Sequence, residues 1–270
     1  MVRTARTGLL SAPVDLTRRA LLIAGAGALA GGCAGARHRT SQPHPPPPGA
    51  TADAGQPAPP AASATSEPPF PGFVQSGPRQ TSAVAFTFHG SGDASLADDL
   101  LRVAARLSVP ITVFAVGRWL DDQPSMGRRL VDGGHEVANH TYTHPVLPRL
   151  DAGAVLDEIT KCRDALQRHA GTPGRWFRPS GTPAPNAAIR AAATQAGYAT
   201  VVGYDVDPLD YRDPGAAVVA QRVRDALHPG SIVSLHTGHA GTVAAFEPMI
   251  AAARARGLRP VTVSDLLAGR

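Results

Sequence analysis

The sequence has few cysteines, few aromatic residues and no apolar run long enough to span a membrane. Of its 270 residues, 5% are aromatic and two are cysteines, Cys33 and Cys162. The net charge is +5, but the first 72 residues contain six arginines and three acidic residues, so the remaining chain carries only +2. No basic stripe is interleaved with aromatic residues, which argues against nucleic-acid binding. An internal disulfide is excluded if Cys33 is lipidated or removed, and Cys162 falls in step with Ile159 and Leu166, as a core residue would.

The N-terminal region resembles a bacterial export signal. The stretch LTRRALLIAGAGALAGGC, residues 16–33, has a twin arginine followed by an apolar run that is too short to cross a bilayer. It predicts a twin-arginine signal peptide within residues 1–36. ALAGGC resembles a lipobox with Cys33 as the lipidated residue, whereas cleavage at the A-x-A site of residues 34–36 would remove Cys33. An unprocessed apolar helix is the third alternative. We expect a lipoprotein anchored at the cell membrane, or a protein secreted to the cell envelope if the A-x-A site is used.

Two further segments follow. Residues 37–72 are rich in Pro, Ala, Ser, Thr and Gly, a composition that predicts a disordered spacer. Residues 73–270 are enough for one well-buried domain, and they contain no internal repeat. We expect this domain to be a monomer whose contact with the membrane is through the lipid anchor alone.

Short β-rich runs alternate with amphipathic stretches throughout this domain. Such alternation predicts an α/β fold with a parallel sheet, and seven units predict a distorted (β/α) barrel of about seven parallel strands. An open doubly wound sheet is the alternative, but no G-x-G-x-x-G opens a helix after a strand. The predicted strands are 83–88, 111–116, 135–140, 175–179, 199–204, 231–236 and 259–263. The predicted helices are 95–107, 121–132, 152–170, 185–196, 216–227 and 242–256, with left-handed glycines expected after four of them, at Gly133, Gly171, Gly197 and Gly257.

Functional residues of such barrels lie at the C-terminal ends of the strands. The polar candidates of this sequence follow the rule, because each comes at or just after the end of a predicted strand. They are His89 and Asp93, His140 and His144, Arg178, Asp210 and His236.

The motif NHTYTHP, residues 139–145, is the strongest indication of chemistry. His140 and His144 are four residues apart, so one turn can direct both imidazoles at the same point. A catalytic zinc ion takes three protein ligands, and imidazole nitrogen is one of its preferred donors. The motif predicts a divalent metal site, with zinc as the expected ion; two surface histidines spaced by chance are the alternative.

Three other motifs supply candidate catalytic groups. In FRPSG, Arg178 could orient a carboxylate or form a structural salt bridge, and the amides of Ser180 and Gly181 could donate to an oxyanion. In GYDVDPLDY, Asp210 lies in a loop where acidic residues are also common as turn formers. In SIVSLH, His236 suits a general acid or a buried core histidine.

Taken in this order, the motifs resemble those of the polysaccharide deacetylases, the NodB-homology domains of carbohydrate esterase family 4. The resemblance covers nearly all of residues 82–270, with DVDPLDY in place of Asp-x-x-Asp-Trp and RGLRPVTVSDLL as the closing strand and helix. It implies a NodB-type barrel and a divalent metal, usually zinc, that activates a water to attack an N-acetyl carbonyl.

The resemblance also implies a role for individual residues. His140 and His144 would bind the metal, Arg178 would orient the catalytic base, and His236 would protonate the leaving amine. Asp210 would be the carboxylate partner of His236. The amide of Gly181 is a candidate oxyanion donor, and Tyr211 stands where the family usually has tryptophan.

The first motif departs from the family, which has Thr-Phe-Asp-Asp-Gly there, with the base first and the ligand second. This chain has TFHG at residues 87–90, and Asp93 follows later. In one alternative, Asp93 completes the metal site and His89 is the base or becomes a ligand. In another, Asp93 is the base beside Arg178, and His89 is the third ligand. In the third, the site is inactive. We take Asp93 as ligand and His89 as base for the working assignment.

The expected function is that of an exported, metal-dependent deacetylase. Its substrates would be N-acetyl groups, or in a close variant O-acetyl groups, of peptidoglycan or a related glycan. The alternative is a catalytically inactive glycan-binding lipoprotein on the same fold.

Overall fold

The computed structural model describes residues 72–270, so the expectations for the signal region, Cys33 and the spacer lie outside the described residues. Strands and helices alternate in this part of the chain. The strands are β1 Gly72–Val74, β2 Ala83–Gly90, β3 Thr112–Ala115, β4 Glu136–Asn139, β5 Thr200–Val202, β6 Ile232–His236 and β7 Arg259–Val261. The helices are α1 Ala94–Leu107, α2 Gly117–Asp122, α3 Met126–Asp132, α4 Ala152–Ala170, α5 Ala187–Gln195, α6 Ala216–Ala226, α7 Ala240–Ala255 and α8 Val263–Leu267, with 3₁₀ turns at Leu147–Arg149 and Asp210–Arg212.

Every strand pairing is parallel, which confirms the predicted α/β class. Strands β4, β3, β2 and β6 are neighbours in that order, β7 pairs with the start of β2, and β1 pairs with β5. Isolated bridges extend this arrangement: Phe177 joins Asn139 of β4 to Val201 of β5, and Val206 pairs with Val233 of β6. The C-terminal ends of β2, β3, β4 and β6 therefore meet at one edge.

Strand β2 lies at the centre, and all eight of its residues are buried. Phe86 and Phe88 pack edge-on against Phe246 of α7, with ring centroids 5.9 and 5.4 Å apart. Because successive side chains of a strand point to opposite faces, Thr87 and His89 point the other way, and the Thr87 hydroxyl donates to the backbone of β6 at 2.6 Å. The sheet thus delivers His89 to the C-terminal edge.

Two predicted elements differ from the structure. The strand expected at 175–179 is reduced to the bridges of Phe177, because the flanking prolines have no backbone N–H to donate. The helix expected at 121–132 is split into α2 and α3 around Pro124, which cannot continue a helical hydrogen-bond ladder. Strand β1 was not predicted, since its three residues show no periodicity.

The glycines at helix ends are left-handed in three of the four predicted cases. Gly171, Gly197 and Gly257 have φ of 75°, 94° and 70°. Gly133 does not, with φ of −76°, and the positive φ falls on Gly134 instead.

Cys162 is fully buried in the main core, as its helical spacing predicts. Burial raises the pKa of its thiol to about 12, so it is an inert core residue. Among the described helices, none has the length and apolar character needed to cross a membrane.

Candidate metal centre and active site

The predicted functional residues gather, with one exception, where the strands end. A cleft of about 420 Å³ opens there. Arg178 and Asp210 lie behind it and are almost fully buried. Its lining is polar and aromatic, and consists of His89, His140, His144, Pro179, Gly181, Thr182, Pro183, Tyr204, Asp207, Tyr211, Ser234 and His236.

The turn after β4 brings His140 and His144 together, with ring centroids 4.8 Å apart. Thr141 and His144 have φ of 68° and 59°, a conformation that costs roughly 1–3 kcal/mol for an ordinary residue. The Asn139 side chain holds the turn, because it accepts the Thr141 amide at 2.9 Å and donates to the Ile159 carbonyl at 2.8 Å. The turn is therefore strained and firmly bonded, as functional turns often are.

Hydrogen bonding fixes the tautomer of His140, which is 1% exposed. Its Nδ1 lies 2.9 Å from the Arg178 carbonyl, and since a carbonyl only accepts, Nδ1 carries the proton. Nε2 therefore presents a lone pair, and within residues 72–270 this buried atom has no hydrogen-bond partner. A histidine held at one nitrogen by a carbonyl, with the other nitrogen free, is the usual form of a metal ligand.

His89 joins His140 and His144 in one cluster. Each of the three rings contributes one nitrogen to a group of atoms that all lie within 4.8 Å of one another. The rings of His89 and His140 are 4.1 Å apart between centroids. Three imidazoles are a recognised donor set for catalytic zinc, so the residues present fit that ion.

Asp93 is the exception, and its position corrects the expected ligand set. It is exposed and serves as the N-cap of α1, where its carboxylate accepts the Ser95 amide at 2.8 Å. The Trp119 indole donates to the Gly92 carbonyl at 3.0 Å and fixes the loop just before Asp93. The loop does not fold back, and the group of potential metal ligands found among the described residues contains no carboxylate.

Gly90, directly after His89, has no room for a side chain. A Cβ atom there would lie 2.8 Å from Val113 Cγ1 and 2.9 Å from Trp119 Cζ3. Such distances require the neighbours to move, and well-packed cores resist this. Trp119 thus fills the space beside Gly90 and also anchors Gly92, so the missing side chain is part of the local packing.

Arg178 lies behind His89 and is 1% exposed. It donates to the carbonyls of Val202 and Gly203 at 3.1 and 2.9 Å and to the Thr87 hydroxyl at 2.8 Å, and its Nη1 is 3.3 Å from His89 Nε2. Burial lowers its pKa to about 9. The predicted carboxylate partner is absent from these contacts, because the residue in front of the guanidinium is an imidazole.

His236 connects the cluster to a buried carboxylate. Its Nδ1 lies 2.8 Å from Asp210 Oδ1, and its Nε2 lies 2.9 Å from His89 Nδ1. Arg178 can only donate and ionised Asp210 can only accept, so with both imidazoles neutral the protons point from Arg178 through His89 and His236 to Asp210. His89 Nε2 then carries a lone pair that is directed to Arg178 Nη1 at 3.3 Å, so a metal ion bound there would take the place of this contact.

The surroundings keep the three cluster imidazoles neutral. Burial, followed by repulsion from the neighbouring imidazoles and Arg178, holds the pKa values of His89 and His140 well below the usual value, and burial also lowers the pKa of His144. Burial alone would raise the pKa of Asp210, but its hydrogen bonds, first those from His236, outweigh burial and leave the pKa lowered. Neutral imidazoles beside an ionised carboxylate suit the binding of a cation.

The remaining predicted residues surround the cleft. Gly181 lines it with φ of 67°, whereas the Ser180 side chain is fully buried and its hydroxyl donates to the Pro145 carbonyl at 2.5 Å. Tyr211 is 43% exposed, and its ring centroid lies 5.3 Å from that of His236.

Sequence reasoning missed several contributors. Tyr204 and Ser234 line the cleft, and Thr242 of α7 donates to Asp210 at 2.6 Å. Tyr204 falls at the end of a predicted strand, so its position was a usable signal. Thr242 gave none, because its role depends on how α7 packs against the loop after β5.

Comparison with known proteins places this fold and site in one class. The sequence profile of polysaccharide deacetylases matches residues 76–201. A chitooligosaccharide deacetylase of Bradyrhizobium is 36% identical over 168 residues, which cover 59% of this chain and 72% of that protein. The chain belongs to the polysaccharide deacetylase family, as its motifs predict.

Two further proteins are similar to this chain, one of them in two crystal structures. A peptidoglycan-N-acetylglucosamine deacetylase of Bacillus cereus is 28% identical over 198 residues, covering 72% of this chain and 71% of that protein. The crystal structure of BA3943, a CE4 family pseudoenzyme from Bacillus anthracis, has a TM-score of 0.69 at 26% identity and covers 73% of this chain and 69% of that one. A BA3943 mutant described as having restored enzymatic activity gives the same TM-score of 0.69 at 27% identity, covering 73% and 72% of the two chains.

Proposed function

We propose that this protein is a metal-dependent deacetylase that removes N-acetyl groups from a glycan and binds its metal through His89, His140 and His144. The proposal rests on the buried, unpartnered Nε2 of His140, whose ring contributes one atom to a group of potential ligand atoms within 4.8 Å of one another. Zinc is the ion of choice, because imidazole suits zinc whereas magnesium, calcium and manganese favour oxygen ligands.

The residues around the cluster supply the other parts of an amide hydrolysis. A zinc ion bound there would act as a Lewis acid toward the acetamide carbonyl and activate the attacking water. His236 lines the cleft with Asp210 behind it, so it can accept a proton and deliver it to the leaving amine. The Gly181 amide suits a donor to the oxyanion, and the buried charge of Arg178 stabilises negative charge that develops nearby.

The names of the relatives and the lining of the cleft support an amino-sugar substrate. The relatives are named for chitooligosaccharide and for peptidoglycan N-acetylglucosamine, and the rings of Tyr204 and Tyr211 line the cleft, where a sugar face could pack on them. We propose oligomers of N-acetylglucosamine or peptidoglycan as substrate. Acetate release from acetylated xylan, and none from amino-sugar oligomers, would select the O-acetyl variant instead.

One observation favours a second function, glycan binding without turnover. The end of β2 offers no carboxylate that could serve as base. Position 89 is a histidine, which is bonded to His236, and the packing around Gly90 leaves no room for a side chain. A pseudoenzyme shares this fold. This alternative predicts glycan affinity that is unchanged when His236 is replaced by alanine.

The decisive experiment measures acetate release from the pentamer of β-1,4-linked N-acetylglucosamine and from peptidoglycan. We expect release by the zinc-loaded protein, loss after chelation, recovery on adding zinc, and none from His140→Ala. Release that survives exhaustive chelation would contradict the metal-dependent mechanism. Glycan binding without release would select the second function.

We also propose export and lipid anchoring at Cys33, on the sequence pattern of residues 16–36 alone. The protein should partition with the membrane fraction of its cells, and Cys33→Ala should release it. A wild-type protein found only in the soluble cytoplasmic fraction would contradict export.

A further inference from the structure

The edge of the cleft carries two histidine–aspartate pairs. Besides Asp210 and His236, the Nδ1 of His239 lies 2.8 Å from Asp213 Oδ1. Each partner is three residues beyond its counterpart, and Asp213 is the C-cap residue of the 3₁₀ turn that begins at Asp210. The pairs accordingly lie side by side, with the His236 and His239 ring centroids 5.9 Å apart.

The two pairs differ in what their second nitrogen contacts. The inner pair has a fully buried carboxylate, and His236 Nε2 is bonded to His89. In the outer pair the Asp213 side chain is 69% exposed and the His239 side chain 26%. Within residues 72–270, His239 Nε2 has no hydrogen-bond partner, and although His239 does not itself line the cleft, its ring lies 5.9 Å from that of His236, which does.

Fold stability does not explain the outer pair. His239 is the N-cap residue of α7, yet its side chain makes no capping hydrogen bond. An exposed pair of this kind contributes little to the stability of a fold. The 3₁₀ turn that positions Asp213 has positive φ at both flanking residues, 56° at Leu209 and 50° at Asp213, which costs free energy for a non-glycine residue.

We propose that the Asp213–His239 pair is a second glycan-binding element, in which His239 Nε2 hydrogen-bonds a hydroxyl of the sugar bound next to His236. Asp213 holds the ring by Nδ1 and leaves Nε2 directed outward. The exposed ring of Tyr211, on which a sugar face can pack, also lies against His236. This role rests on the proposed function, because it assumes that the glycan occupies the cleft.

Calorimetry with the N-acetylglucosamine pentamer tests this element. For the zinc-loaded protein we expect His239→Ala to raise the Kd about tenfold, and Asp213→Ala to raise it about threefold, since loss of a good hydrogen bond is worth about one power of ten. The double variant should bind no worse than His239→Ala, because Asp213 acts through the ring. The Kd for zinc should not change in any of them.

His228→Ala is the matched control. His228 forms a similar pair with Asp205 at 3.0 Å, with side-chain exposures of 28% and 18%, but it lies before the start of β6, away from the cleft. We expect no change in glycan affinity. Wild-type binding that His239→Ala leaves unaltered would overturn this inference alone, whereas wild-type protein that neither binds the pentamer nor releases acetate would overturn the proposed function as well.

Discussion

The turn after β4 and the end of β2 both deliver imidazoles to the same point, but they do so by different means. The first is an irregular turn with positive φ at Thr141 and His144, held by the Asn139 side chain. The second is a regular strand. The alternation of side chains along β2 sets the direction of His89, and the ring of Trp119 fills the space that a side chain at position 90 would need.

This difference shows why the end of β2 can carry a histidine without any change in where its side chain points. A strand residue keeps its direction when its side chain is replaced, because the ladder on both sides fixes the backbone. A histidine at position 89 therefore still points at His140. The loop beyond it is free to serve the helix instead, and Asp93 does so as an N-cap.

The largest expected effect comes from replacing His236, the proposed acid, which bonds to His89 at the end of β2. His236→Ala should lower acetate release by about 10²–10⁴-fold, the usual contribution of a general acid or base. Zinc affinity should fall by no more than about 10–100-fold, because His236 is not in the ligand cluster but bonds to His89, which is. His169→Ala, which removes a histidine paired with Asp121 away from the cleft, is the control. Equal release by His236→Ala and wild type would exclude His236 as the general acid, whereas no release by either protein would leave only the binding function.

Replacing a histidine in the turn after β4 should remove metal binding. We expect His140→Ala to weaken zinc at least about 100-fold, because a ligand contributes no less than the outer-shell residues that orient ligands. Zinc calorimetry measures this, and thermal unfolding of the metal-free variant checks that it folds. A folded variant with wild-type zinc affinity would exclude His140 as a ligand.

Adding a side chain at the end of β2 should disturb the packing there and lower stability. Gly90→Ala should lower the free energy of unfolding by about 1–3 kcal/mol, the usual cost of overpacking, because its Cβ meets Val113 and Trp119. Gly241→Ala is the matched control, since the nearest atom to a Cβ there is at an ordinary 3.7 Å. Denaturant unfolding measures the free energy of unfolding of both variants. An unchanged value for Gly90→Ala would show that the Trp119 side chain moves aside at little cost.

The last expected effect is the pH dependence of the metal-free protein. The lowered pKa values of His89 and His140 mean that below about pH 6.5, the usual histidine value, the unfolded chain binds protons that the folded chain does not. The free energy of unfolding should therefore rise with pH up to this value, by at most about 1.4 kcal/mol per pH unit for each group, and level off above it. His89→Phe should flatten the slope; a slope that is the same in both proteins would contradict these pKa shifts.

The sequence predicts the fold well because apolar periodicity and glycine positions are local signals. The bounds of α4, for example, match the prediction residue for residue, and His140 and His144 follow from their spacing. Asp93 was misassigned because flexible glycines suggested a loop that folds back. Asp93 also stands directly before an amphipathic run, which is typical of an N-cap, and this is the role it has in the structure.

What the sequence could not supply are contacts between distant segments. The buried arginine without a carboxylate partner, the ring of Trp119 against Gly90, and the bond of His89 to His236 join residues far apart in the chain. Each depends on how helices and strand ends pack together, which no local pattern encodes.

Zinc titration of the full chain by calorimetry, with His89→Ala beside Asp93→Ala, tests the central claim most directly. A three-histidine centre predicts that His89→Ala loses tight binding, whereas Asp93→Ala keeps the wild-type Kd and loses only the modest stability that an N-cap side chain supplies. Loss of zinc binding in Asp93→Ala, with His89→Ala unaffected, would contradict the claim and return the ligand role to the carboxylate.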